Sequence, residues 1–546
     1  MRTDKLLSAI LLLSMAPIGL IALAQSKDPA QAAQSSQSQA SKPSPSGASS
    51  PLTWHAWSDE VFAEAKRDHK FVLLDLEAVW CHWCHVMDVE TYQDPAVKSL
   101  LEAKYLLVKV DQDSRPDLSN RYEDYGWPAT VVFNGDGGEI VKRQGYITPK
   151  EMRAMLQAII DDPTPGPSVT NAPAAKITAA KSSQFSPEVL AQLNKNYDAQ
   201  YDTAAAGWGF GHKYLDGDSV EYAMYLAARG DKQAEQRARD TLKQELKLID
   251  PVWGGAYQYS VGGNWDEPHF EKLIGVQAQT IRIYSMAYEQ WHDPSYLQAA
   301  ESVHTYVKNF LMSPEGAFYV SQDADVVEGE HSAEYFKLDD AARRKQGIPR
   351  VDKHVYAREN GWMITALCEL YKASGDPATL AEAKRAADWV VANRSLPHGG
   401  FRHDEHDIAG PYLGDTLAMG QGFFALYKVT KDDAYLQQAE DALGFINFYM
   451  TADNTPGYLT SKTPTDHSYT PHPERDENVQ IVRLATEVYE VSGNSTDEQI
   501  ADHAMRYLAV KEVALRPMAG GVLQAQAEFS SRAKPASSVA QDHSKT

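Results

Sequence analysis

Cysteine is scarce in this sequence, with three in 546 residues. A fold stapled by a framework of disulfides is therefore excluded. Two of the three, Cys81 and Cys84, stand together. The third, Cys368, sits in the apolar helical run 362–371, where a buried thiol is expected. Positive charge is also short. Against 74 Asp and Glu there are 52 Lys and Arg, a net charge of −22, which argues against nucleic acid and anionic membrane surfaces as partners. Apart from residues 6–24, no stretch is long and apolar enough to span a membrane. With 43% hydrophobic and 23% charged residues, the chain reads as globular, and its length suggests two domains.

The N-terminal apolar run follows Arg2 and Lys5 and ends in Ala22-Leu23-Ala24. A charged start, an apolar centre and a small-x-small ending read as a signal peptide over residues 1–24. The expectation is an exported protein, periplasmic or secreted, without membrane attachment once the signal is cleaved; an uncleaved anchor is the alternative. Residues 25–51 are rich in Ser, Gln, Ala and Pro and read as a disordered tether. A Pro- and Ala-rich linker is expected at 163–184, and a polar tail at 516–546.

Between tether and linker, over 52–162, short buried strands alternate with helices. Phe71-Val72-Leu73-Leu74-Asp75-Leu76, residues 105–110, 130–133 and 139–143 read as strands; 58–68 and 150–160 read as helices. That pattern predicts an α/β sheet covered on both faces. Over 185–515 strand signals fade and amphipathic helices dominate. Glycine-aromatic marks recur, as at Gly254-Gly255-Ala256-Tyr257 and Gly399-Gly400-Phe401. Six such marks predict six helical hairpins closed into a ring, with an open helical solenoid as the alternative.

The chemistry concentrates at Trp80-Cys81-His82-Trp83-Cys84-His85. Cys81 follows a buried strand and opens a helix, where free N–H groups stabilise a thiolate, the species that attacks in thiol–disulfide exchange. Cys84, one turn on, can resolve the mixed disulfide. His82 and His85, when protonated, favour the thiolate and bias the pair toward the oxidising side. The two sulfurs are expected at an exposed strand-to-helix mouth. Asp75, six residues before Cys81, can relay a proton. Pro128, in Gly126-Trp127-Pro128, precedes a strand, and a cis bond there would present backbone to a substrate disulfide. C-x-x-C-H is also the haem-attachment pattern; a strand running almost directly into Cys81 argues against it. Zinc lacks a second ligand cluster of suitable spacing. No metal and no cofactor beyond the cysteine pair is expected.

These residues resemble the spermatogenesis-associated thioredoxin-like proteins and their bacterial relatives. The resemblance rests on Trp80 to Met87, Val108-Lys109-Val110-Asp111, Gly126-Trp127-Pro128, Pro251-Val252-Trp253-Gly254-Gly255, Pro268-His269-Phe270-Glu271-Lys272, Gln322-Asp323-Ala324-Asp325 and Asn360-Gly361. It implies a thioredoxin-like domain followed by an all-α (α/α)6 toroid of the six-hairpin glycosidase type. The chain departs from the family in a shorter loop before Gly126, in Leu273-Ile274-Gly275-Val276, and at Gly414 and Gln421. In such a ring, loops at one end surround a pocket. Trp208 and Trp265 would stack on a sugar, His269 with Glu271 and Asp323 with Asp325 would act as acid and base, and Asn360 and Asp415 would line the same mouth. The leading expectation is a thiol–disulfide oxidoreductase or redox-linked maturation factor. Its partners would be a client protein disulfide or dithiol and an unidentified electron donor or acceptor, and its toroid would bind the client or a small carbohydrate-like ligand. The alternatives are a carbohydrate-active toroid with an accessory thioredoxin domain and a non-catalytic interaction protein.

Overall fold

The computed structural model describes residues 51–169, 177–407, 409–453, 455–462 and 471–532. The expected signal peptide, all but the end of the tether, part of the linker, and the end of the tail lie outside the described residues.

Five strands build the N-terminal sheet among the described residues: β1 (Trp54–His55), β2 (Phe71–Glu77), β3 (Tyr105–Asp111), β4 (Ala129–Phe133) and β5 (Glu139–Gln144), in the order β1-β3-β2-β4-β5. β2 and β3 run parallel, while β4 and β5 run antiparallel. The helices α1 (Asp59–Asp68), α2 (His82–Val86), α3 (Pro95–Lys104), α4 (Pro116–Tyr122) and α5 (Pro149–Asp161) accompany the sheet. β2 is central and buried on both faces. Val72, Leu74 and Leu76 pack with Phe62 and Phe133 on one side, and Leu73 packs with Val97, Leu101 and Leu156 on the other. A strand apolar from Phe71 to Leu76 except at Asp75 is what a doubly covered sheet requires.

The remainder is helical. α6 (Pro187–Ala199), α7 (Gly217–Ala227), α8 (Lys232–Glu245), α9 (Ile274–Trp291), α10 (Pro294–Tyr306), α11 (Ala357–Ser374), α12 (Pro377–Arg394), α13 (Leu413–Thr430), α14 (Asp433–Tyr449), α15 (Arg475–Ser492), α16 (Ser495–Leu508) and α17 (Gly520–Ser531) follow in turn. Helices α7, α9, α11, α13, α15 and α17 each pack on the next, and α17 packs back on α7, so the inner ring closes. Their partners α8, α10, α12, α14, α16 and α6 lie outside. The sixth pair is thus made by the first and last helices of the domain. This corrects the tail expected at 516–546: Val522, Leu523 and Phe529 are buried, and Gly520 and Gly521 lie so close to α7 that a Cβ would strike Ser219 or Asp218. Those glycines mark a helix contact.

The turn from inner to outer helix repeats. His292, Gly375, Lys431 and Gly493 each end an inner helix in the left-handed region. Each is followed by an Asp or Asn whose side chain caps the outer helix: Asp293, Asp376, Asp432 and Asn494. A left-handed residue stops one helix, and the next residue's carboxylate or amide satisfies the first free N–H groups of the other. A second repeat braces the glycine-aromatic segments. Gln277, Asn360, Thr416 and Asn478, each fourth in an inner helix, bond the backbone of Ala256, Phe318, Phe401 and Tyr458 respectively.

The repeated turn predicts opposite effects at equivalent positions. Gly375→Ala, where no atom crowds the added methyl, should cost about 1 kcal/mol of stability through backbone strain alone, whereas Lys431→Gly should cost nothing or stabilise slightly. Urea unfolding of the two variants checks this, and an equal loss in both would contradict it.

Candidate functional site

β2 ends at Glu77, and the chain turns through Ala78 to Trp80 into α2. Cys81 is the N-cap of α2, and its sulfur accepts the Cys84 N–H at 3.2 Å. Cys81 and Cys84 are joined as a disulfide. The sulfur therefore occupies the place where a helix start supplies unpaired donors. The peptide bond between Trp127 and Pro128 is cis, and the Trp127 ring packs against the cysteines.

On β2, Asp75 is 2% exposed. One of its oxygens has no hydrogen-bond partner among the described residues, and the other lies 3.5 Å from Lys109. Burial pushes its pKa up to about 8, against the pull of Lys109. The Lys109 ammonium is shared with Glu77 at 2.8 Å and Asp88 at 2.6 Å.

The sequence pattern placed the cysteines at an exposed mouth; Cys81 is 4% and Cys84 2% exposed. Leu273, at the entry to α9, packs against them. Beside it, the loop after Ser321–Gln322 brings Asp325 onto the cysteine helix. One Asp325 oxygen accepts His82 Nδ1–H at 2.7 Å, and the other accepts His85 Nδ1–H at 3.1 Å and the Gly329 N–H at 2.9 Å. Burial alone would raise the Asp325 pKa, but the two imidazoles outweigh it and hold it down at about 2. Burial likewise opposes charge on His85, and Asp325 and Asp323 overcome it, raising that pKa. Asp323, buried with a longer 3.8 Å approach to His85, is pushed up to about 7 by desolvation.

A second contact lies on the other flank. The Trp80 indole donates to Asp113 at 2.7 Å. The backbone carbonyl of Asp113 accepts from His403 Nε2 at 2.7 Å, while His403 Nδ1 faces Asp415 at 2.9 Å. Both ring nitrogens face acceptors, so both must donate and His403 is an imidazolium; Asp415 lifts its pKa to about 9 despite burial. Tyr412 reaches Asp117 at 3.2 Å, and Arg350 reaches the Val79 carbonyl at 3.0 Å. The ring thus grips the α/β domain around the cysteines.

These positions revise the sugar pocket. Asp323 and Asp325 serve the imidazoles beside the cysteines. Asp415 holds His403 and the Arg358 N–H. Asn360 is one of the four braces. Trp208 is buried against Tyr197 and Tyr201, and Trp265 donates to the carbonyls of Ala205 and Ala206. Both are packing residues. His269 stacks on Tyr259, 3.9 Å from Glu271, whose Oε2 is buried without a hydrogen-bond partner among the described residues. The ring's lumen instead holds a cavity of about 950 Å³ that none of these eight residues lines; Asp218, Glu221, Arg282, Trp362, Arg483 and Glu528 do. There Arg483 joins Glu221 to Glu528, and Arg282 joins Glu221. Missed in the sequence, these residues had one signal: charged positions inside otherwise apolar inner helices.

Three clusters among the described residues bring acids and, in two of them, a histidine within metal-ligating reach of one another. Two already contain a cation: Lys109 among Asp75, Glu77 and Asp88, and His403 and Arg358 beside Asp415 and Glu359; in the third, His85 bonds Asp325 and approaches Asp323.

Comparison with known proteins follows this geometry. Residues 37–161 match the family described as Thioredox_DsbH: Protein of unknown function, DUF255. The chain is 25% identical over 477 residues to uncharacterized protein B0495.5 of Caenorhabditis elegans, covering 74% of this chain and 63% of that one. It is 26% identical over 310 residues to spermatogenesis-associated protein 20 of Mus musculus, covering 51% and 39%. The chain therefore spans less than two thirds of the length of these relatives. Over 92 residues it is 39% identical to thiol:disulfide interchange protein DsbD 1 of Pseudomonas aeruginosa, 16% of this chain and 15% of that one. Among solved structures, cellobiose 2-epimerase from Bacillus thermoamylovorans aligns at 12% identity with a TM-score of 0.46, covering 59% of this chain and 86% of that one.

The buried carboxyl gives a pH-dependent prediction. Asp75 has a folded pKa above its unfolded value near 3.9, so the folded chain holds the proton more tightly. Asp75 is neutral in both states below about pH 4 and costs stability increasingly as the pH rises through 8. Asp75→Asn should therefore leave the urea midpoint nearly unchanged at pH 4 and raise it at pH 9. The gain should be on the order of a few kcal/mol. Equal midpoints at pH 9 would contradict the assignment.

Proposed function

We propose that the protein, whose residues 37–161 match the Thioredox_DsbH family, is an exported thiol–disulfide oxidoreductase or redox-linked maturation factor working through Cys81 and Cys84. The observation that carries this reading is the Cys81 sulfur at a helix N-cap, joined to Cys84, with a buried carboxyl at Asp75 on the strand that leads into it. In the reduced protein the Cys81 thiolate attacks one sulfur of a substrate disulfide, and the other substrate sulfur leaves as a thiolate. Cys84 gives its proton to the Asp75 carboxylate and attacks Cys81 Sγ, expelling the second substrate thiolate. Two electrons pass to the substrate, and the Cys81–Cys84 disulfide remains. A substrate dithiol runs the same steps in reverse. Pro128, after its cis bond, presents backbone to the substrate disulfide. A thiol or disulfide partner must return the pair to its starting state.

A second reading concerns the lumen. Its volume suits a small molecule, and Trp362 with the side chains of Gln421, Gln480 and Gln524 lines it. A small carbohydrate-like ligand is the class such an aromatic and amide surface would hold, and it would bind there and not at the residues the sequence pattern singled out.

The exchange reading predicts asymmetric cysteine variants. Cys81→Ser should abolish reaction with glutathione disulfide. Cys84→Ser should still react and accumulate a mixed disulfide at Cys81, visible as a glutathione adduct by mass spectrometry. An adduct at Cys84 in Cys81→Ser, formed as fast as the one at Cys81, would contradict the assigned roles.

A further inference from the structure

Both imidazoles beside the cysteines belong to the α/β domain, but the carboxylate that holds them belongs to the ring. We propose that Asp325 is a positioning residue of the dithiol site, setting the Cys81 thiolate through His82 and His85 across the domain boundary. This rests on the exchange reading of the same cysteines.

The argument begins with geometry. His82 and His85 lie three apart on one short helix, so their rings emerge on the same side. A single carboxylate bridges both Nδ1 atoms, at 2.7 and 3.1 Å. It is fixed in turn by the Gly329 N–H, and its own backbone N–H is held by Asp323 at 2.9 Å. A bridge of this kind orients both rings and keeps protons on their Nδ1 atoms. Removing the acid takes from both buried imidazoles the carboxylate they bond, and burial then favours their neutral forms more strongly.

Other charges face this pair. Asp323 and Glu328 lie on the Asp325 loop, and Glu77 at the end of β2 interacts with His85. His331 packs edge-on against His82 at 5.6 Å and is itself influenced by His269 and Glu271. Asp325 is the one whose two oxygens both bond the rings.

The charge balance decides the sign. The proton that Asp325 favours on His85 puts positive charge on the helix that opens at Cys81, where it favours the thiolate. Loss of Asp325 removes the carboxylate that favours that proton. The Cys81 thiolate should then be less stable. If the rings stayed protonated without Asp325, the field would grow and the thiolate would become more stable, so the two cases give opposite results.

The test uses the full chain, reduced with dithiothreitol and freed of it, with the iodoacetamide alkylation rate of Cys81 followed by mass spectrometry from pH 4 to 9. Asp325→Asn should move the midpoint of that profile up by about one unit, roughly a tenfold slower reaction at pH 6. A midpoint that is unmoved or lowered overturns the proposal. A cycle with His82→Gln and His85→Gln separates a tuning role from a structural one. In that double variant Asp325→Asn should produce no further shift, and the same shift with the imidazoles gone would also overturn it. Alkylation reads the thiolate whether or not the protein exchanges with any disulfide. A shifted profile with no exchange would therefore count against the exchange reading while leaving the role of Asp325 standing.

Discussion

One carboxylate shared between two imidazoles joins the halves of this molecule. Asp325 comes from a loop of the helical ring; His82 and His85 come from the helix that carries the cysteines. On the other flank His403 places one N–H on a carbonyl of the α/β domain and the other on Asp415. Buried polar groups are costly unless paired, and here the partners are supplied across the boundary. The ring and the sheet domain therefore complete one another chemically as well as sterically, and Leu273 packs against the cluster of Ala78, Trp80, Cys81 and Cys84.

Much of this architecture was legible in the residues. A run from Phe71 to Leu76 apolar except at Asp75, followed by Cys81 at a helix start, predicts a carboxyl in a buried strand and a cysteine pair at a helix start; Asp75 is buried and Cys81 is an N-cap joined to Cys84. The recurring glycine-aromatic marks predict the helical hairpins. Local pattern could not reveal which residues meet across hundreds of positions. Asp323 and Asp325 look like a loop pair suited to a sugar because nothing near them in sequence offers two imidazoles; their partners lie some 240 residues earlier. Trp208 and Trp265 look like stacking platforms because a buried and an exposed tryptophan are the same letter. Helix α17 was read as tail because a short segment of Gly, Ala, Val and Gln is weakly amphipathic, and only packing against α7 and α15 stabilises it.

The closed ring explains why acids appear in two settings. At the end facing the sheet domain, Asp325 and Asp415 neutralise histidines. In the lumen, Glu221 and Glu528 neutralise Arg282 and Arg483. The lumen keeps its own cavity, lined by residues distinct from those that support the cysteines. Coupling between the two would have to pass through the inner helices, with Leu273 on the cysteine side and Gly275, two residues on, on the lumen side.

The central claim is that Cys81 and Cys84 form a dithiol in equilibrium with other thiols. Equilibrating the full chain across glutathione buffers from fully oxidising to fully reducing, then quenching in acid and weighing the intact protein, tests it directly. The account predicts one two-electron transition confined to Cys81 and Cys84, with Cys368 unmodified throughout. A disulfide that stays closed across the whole range, or cysteines that never re-form it, would contradict that claim.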